Sequence, residues 1–127
     1  MKQALERVML VEDDPDIRTI ASMALEVVGG LQVRACESGA VALAALESFK
    51  PQMVLLDVMM PGMNGPEVLQ ALRQREEMAG VPVVFLTAKV QAAEIDSLLA
   101  LGALDVLPKP FDPMTLADAV KGLWERA

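Results

Sequence analysis

Histidine and tyrosine are both absent from this 127-residue chain, there is one cysteine, Cys36, and aromatic residues make up only 3% of the sequence. Without histidine, neither a Ser-His-Asp nor a Cys-His catalytic set can be assembled within the chain. With no histidine, one cysteine and scattered acids, no zinc site is expected. A lone cysteine has no internal disulfide partner, which fits a reducing, cytoplasmic setting. Basic residues are also outnumbered: 11 Lys and Arg against 18 Asp and Glu leave a net charge of -7. That argues against electrostatic binding of nucleic acid or of an anionic membrane. No apolar run reaches membrane-spanning length, and the opening segment MKQALER lacks the apolar stretch of a signal peptide. There is no internal repeat and no low-complexity linker.

What is present is a chain 54% apolar and rich in aliphatics, long enough to bury a real core as one domain over residues 1–127. Short apolar runs alternate with amphipathic stretches. Strands are expected at 7–11 (RVMLV), 31–35, 53–56, 83–86 and 105–107. Helices are expected at 15–28, with a proline in the first turn and Gly29-Gly30 at the end; at 38–49, capped by Ser38; and from Asn64 or Gly65 to about residue 76. Two more are expected at 91–101, closed by Gly102, and from Pro113 to the end. Five strands alternating with five helices imply a parallel sheet covered by helices on both faces. The strands read as continuous apolar runs, as strands buried on both sides do.

Sites in such sheets lie beyond the carboxyl ends of the strands, near the point where strand order reverses. Glu12, Asp13 and Asp14 follow the first strand, Asp57 the third, Thr87 and Ala88 the fourth, and Lys109 the fifth. With a strand order 2-1-3-4-5, Glu12, Asp13 and Asp57 cluster, with Thr87 and Lys109 on the far side. Each residue alone has an unremarkable alternative: a solvated loop with one acid capping a helix, a threonine cap, a surface lysine, a structural aspartate bound by backbone amides. Their joint placement on the ligand-binding edge is harder to explain that way. Asp57 in particular ends the apolar run of VLLDVMMPG, where a carboxylate is costly unless paired or metal-bound. Clustered carboxylates need a cation, and magnesium suits carboxylates, water and phosphate oxygens. A carboxylate is also a competent nucleophile in phosphoryl transfer, with Lys109, the Thr87 hydroxyl and the Ala88 amide as partners for the transferred group.

Taken together, MLVEDDPDIR, VLLDVMMPGMNGPEVL, VVFLTA and GALDVLPKPF, in that order, resemble the receiver domain of bacterial two-component response regulators, over essentially the whole chain. The resemblance implies a flavodoxin-like α/β fold of three layers, with a five-stranded parallel sheet of order 2-1-3-4-5; that order is the family's. It implies Asp57 as acceptor of a phosphoryl group from a phosphohistidine, on a sensor histidine kinase or a phosphotransfer protein. It implies Mg2+ held by Asp13, Asp57 and the backbone carbonyl of Met59, with Glu12 acting through water, while Asp14 is a bystander. Thr87, Ala88 and Lys109 bind the phosphoryl group, and the Lys109–Pro110 bond is often cis. Such a domain is a switch rather than an enzyme beyond its own phosphorylation and dephosphorylation. It acts on a downstream protein or an effector domain, sometimes as a phosphorylation-dependent dimer.

Two features depart from the family pattern. The aromatic switch residue of the last strand is replaced by Val106, so with Thr87 the readout rests on backbone and helix shifts, or is weak. Leu104 and Pro108 also differ from the commonest residues. Met59 and Lys89, two places past Asp57 and Thr87, hold positions that tune loss of the phosphoryl group, and Met59 is expected to shield it from water.

Other functions fit less well. A magnesium-dependent phosphatase of the aspartate-nucleophile type needs an acid where Met59 stands. A flavin protein needs a phosphate-cradling loop where the acidic EDDP stands. A pseudo-receiver, a phosphorylation-independent interaction domain, is the remaining alternative, which Val106 leaves alive and the set Asp57, Thr87 and Lys109 opposes.

Overall fold

The structure, a computed structural model, describes residues 2–127. Strands β1 (Arg7–Val11), β2 (Gln32–Cys36), β3 (Met53–Asp57), β4 (Val83–Thr87) and β5 (Asp105–Pro108) form one sheet. All pairings are parallel and the order is β2-β1-β3-β4-β5. Helices α1 (Pro15–Met23), α2 (Gly39–Phe49), α3 (Gly65–Arg73), α4 (Ala92–Ala100) and α5 (Leu116–Arg126) connect the strands and cover both faces.

Side-chain alternation along the strands divides the core in two. Val8, Leu10, Leu55 and Leu86 pack with Ala21 of α1 and with Val120 and Leu123 of α5. Met9, Val11, Leu56 and Phe85 pack with α2, α3 and Leu98 of α4. β3 and β4 are buried at every residue, because neighbouring strands flank them and helices cover them. β2 is an edge strand and breaks the expected pattern: Gln32 and Arg34 lie on it, and it is buried only at Cys36. Burial pushes the Cys36 thiol above its ordinary range, which leaves it a packing residue rather than a nucleophile.

Local chemistry sets where the helices start. The Asp14 carboxylate accepts from the amides of Asp16 and Ile17 ahead of Pro15, so Asp14 is the cap of α1. Ser38 caps α2. Asn64 and Glu67 form a reciprocal capping box on α3.

Three expectations need correction. The first helix is regular only to Met23, and residues Ala24–Val28 widen into a π-helical turn. That turn lets Gly29 meet α5, where a Cβ on Gly29 would lie 2.7 Å from the Cβ of Ala117. The third helix ends at Arg73 and is followed by a separate 3-10 turn, Glu76–Met78. The last helix begins at Leu116, not Pro113: Asp112 takes the Met114 amide on its carboxylate and the Thr115 and Leu116 amides on its carbonyl, forming a turn first. In α4, Leu98 is buried and Leu99 exposed, as is Leu101 just past its end.

Candidate functional site

Three strand ends meet at the carboxyl edge of the sheet. Glu12, just past β1, is fully buried and its amide donates to the carbonyl of Cys36. One of its carboxylate oxygens accepts from the Asp14 amide at 3.1 Å. Arg18 donates to the carbonyls of Glu12 and Asp13, which ties the acidic loop to α1. Asp57, the last residue of β3, is 3% exposed. Lys109 sits between these acids: its ammonium is 2.9 Å from Oε1 of Glu12 and 3.0 Å from Oδ1 of Asp57. Its own amide donates to the carbonyl of Thr87 at 2.9 Å, and the Lys109–Pro110 bond is cis. Lys109 is therefore inside the acidic cluster and not on its far side, because its long stem carries the charge back over the sheet edge.

The electrostatics follow from burial. Burial raises the Asp57 carboxyl from 3.8 to about 7, with the Lys109 hydrogen bond pulling it down and Glu12 pushing it up. Burial also works against the Lys109 charge, but the bonds to Glu12 and Asp57 outweigh it and hold the ammonium above its usual range. One ammonium does not balance this set of acids. Glu12, Asp13 and Asp57 each bring a carboxylate oxygen into a group spanning no more than 4.8 Å. An all-oxygen donor set with a surplus of negative charge fits a hard divalent cation such as Mg2+.

The remaining candidates frame this cluster. Thr87, 4% exposed, ends β4 next to β3, and its hydroxyl oxygen accepts from the Lys89 amide at 3.0 Å. Ala88 and Lys89 follow in an exposed loop, and Met59 is 67% exposed on the loop after Asp57. Val106 is half-buried on β5 and packs against the α2–α4 side of the core.

Sequence reasoning missed two positions. Arg18 gave no signal, since nothing in PDIRT marks it as the clamp on the acidic loop. Gly65 did give one, a glycine between the Asn64 cap and Pro66. Its amide donates to the Val58 carbonyl, and a Cβ there would lie 2.5 Å from the Asp57 carbonyl oxygen. Only glycine lets α3 start this close to the strand end.

Comparison with known proteins agrees with this geometry. Residues 8–121 match the family model described as the response regulator receiver domain. The chain belongs to that family, the receiver modules of two-component response regulators, and has its flavodoxin-like fold. It is 36% identical over 95% of its length to the DNA-binding response regulator MtrA of Mycolicibacterium smegmatis, matching 51% of that protein. It is 40% identical over 97% of its length to a CpxR homolog of Haemophilus influenzae, a transcriptional regulatory protein, matching 52% of it. The chain thus spans about half the length of the curated relatives it matches. The chemotaxis protein CheY4 of Vibrio cholerae superposes with a TM-score of 0.87 at 30% identity, covering 94% of this chain and 99% of that one. No helix among the described residues is long and apolar enough to cross a membrane.

Proposed function

We propose that residues 1–127 form one receiver domain that accepts a phosphoryl group on Asp57 in a Mg2+-dependent reaction and switches protein contacts in response. The observation that carries this reading is the placement of Lys109 between Glu12 and Asp57, at 2.9 and 3.0 Å, with Asp13 beside them. The donor is a phosphohistidine on a sensor histidine kinase or a phosphotransfer protein. A carboxylate oxygen of Asp57 attacks phosphorus, the P–N bond breaks, and its electron pair leaves with the imidazole. Lys109, the Thr87 hydroxyl and the Ala88 amide bind the phosphoryl oxygens. Asp13, Asp57 and the Met59 carbonyl would hold the metal directly, and Glu12 through water. When bound, Mg2+ supplies the positive charge that the carboxylates and the phosphoryl group together require.

The output runs through the region from Thr87 to α5. It reaches a downstream protein or an attached effector domain, with a phosphorylation-dependent dimer as one form. MtrA and the CpxR homolog are named for DNA binding and transcriptional regulation, and half of each lies outside the match. A net charge of -7 argues against nucleic-acid contact by these residues themselves.

The test is intact mass after incubation with Mg2+ and acetyl phosphate, alongside Asp57→Ala. A gain of one phosphoryl group in the parent alone supports the proposal. If neither phosphorylation nor a beryllium fluoride adduct is seen in the parent, the pseudo-receiver reading replaces it.

A further inference from the structure

Beside the candidate site, a groove of about 480 Å³ runs between the loop after β3 and α4, lined in part by Met59, Thr87, Lys89, Glu94 and Leu98. Two charged side chains in this groove are unmatched. Oε2 of Glu94 is buried and has no hydrogen-bond partner. Ion pairs among the described residues join Lys109 to Glu12 and Asp57 and Arg126 to Asp105, so Lys89 takes part in none. A buried carboxylate oxygen without a donor disfavours the arrangement that contains it. The two groups form no ion pair with each other in the arrangement described. Thr87 Oγ1 accepts from the Lys89 amide at 3.0 Å, and Gln91, at the cap of α4, provides no side-chain bond of its own.

Thr87 is therefore committed locally in the arrangement described. Under the phosphoacceptor reading, on which this inference rests, its hydroxyl must turn toward Asp57 to reach a phosphoryl oxygen, and the Lys89 amide is then released. We propose that Lys89 and Glu94 are a latch: release of the Lys89 amide lets the ammonium close on the unpartnered Glu94 oxygen, and the new ion pair holds the loop before α4 in its switched arrangement. Because the pair exists in the switched arrangement and not in this one, its whole free energy biases the switch. The favourable position of Glu94 in the first turn of α4 contributes to both arrangements and so biases neither.

The test is the affinity for beryllium fluoride with Mg2+, measured by calorimetry on the parent, Lys89→Met, Glu94→Gln, the double variant, and the charge swap Lys89→Glu with Glu94→Lys. Each single change should weaken binding about fivefold, the double no more than either single, and the swap should recover most of the loss. The differences should shrink in about 1 M salt, where an ion pair is screened and a packing effect is not. Singles that leave affinity unchanged, or that combine additively with no recovery in the swap, overturn the latch while the phosphoacceptor reading stands. A parent that binds no better than Asp57→Ala overturns the phosphoacceptor reading and the latch with it.

Discussion

The ammonium of Lys109 lies 2.9 Å from Oε1 of Glu12, a residue 97 positions earlier in the chain and wholly buried. The other oxygen of Glu12 accepts from the Asp14 amide, which fixes the orientation of the carboxylate that Lys109 meets. Glu12 thereby aims the lysine, and the lysine in turn faces Asp57.

Removing the ammonium leaves two buried carboxylates facing each other. Lys109→Met should destabilise the metal-free protein by about 3–5 kcal/mol, the usual cost of breaking a buried ion pair by removing one partner. Urea unfolding in EDTA measures this. An unchanged midpoint would mean that the pair contributes nothing to the fold.

The raised Asp57 carboxyl makes stability depend on pH. Its value is 3.8 unfolded and about 7 folded, so between these the folded state binds more protons. The contribution is fully present below the unfolded value and is lost as pH rises through the folded one, amounting to up to about 4 kcal/mol. Metal-free protein should therefore weaken between about pH 4 and pH 7. Mg2+ should restore stability increasingly as pH rises, because it competes with the proton. Unfolding with EDTA and with Mg2+ across that window tests both statements. If Asp57→Asn shows the same slope as the parent, another group is responsible.

Gly65→Ala should damage the site from behind. The added Cβ would meet the Asp57 carbonyl oxygen at 2.5 Å and the Val58 Cα at 2.9 Å, both backbone atoms that cannot turn aside. A loss of about 2–3 kcal/mol is expected, with weaker Mg2+ binding. Gly122→Ala is the control. It lies within α5, its Cβ meets nothing within 4 Å, and it should stabilise the helix by about 0.5–1 kcal/mol. Equal effects from the two changes would remove the claim that α3 crowds Asp57.

Met59 stands over the same edge with two thirds of its surface in water. Met59→Asn should speed loss of the phosphoryl group severalfold, since an amide can hold water where a thioether repels it. The decay of phosphorylated protein after removal of donor decides it, and an unchanged rate would sink the shielding role.

Much of this was legible because strand ends are short-range facts. The acids after RVMLV, the aspartate after MVLL and the lysine after DVLP follow apolar runs that leave little freedom about where the strands stop. The Ser38 cap, and the start of α3 at Asn64 or Gly65, were legible for the same reason. What escaped was set by contacts distant in sequence. Lys109 meets Glu12 across 97 residues, and no local pattern says how far its stem reaches. The π-helical turn at Ala24–Val28 answers to α5, which places Ala117 against Gly29. Leu99 and Leu101 look like core in a leucine-rich helix, but only the phase of α4 against β5 decides that Leu98 turns inward. Glu94 carries no sequence signal, since its significance is the lack of a partner.

The central sheet is a partition as much as a scaffold. Consecutive residues of β3, Leu55 and Leu56, belong to opposite halves of the core, one shared with α1 and α5, the other with α2, α3 and α4. Sequence drift on one side can be absorbed there without repacking the other, so the outer helical surfaces can diverge toward different partners independently. Asp57 is the next residue, where both halves reach the same strand end. A lineage can thus rewrite either flank while the acid between them stays where it is.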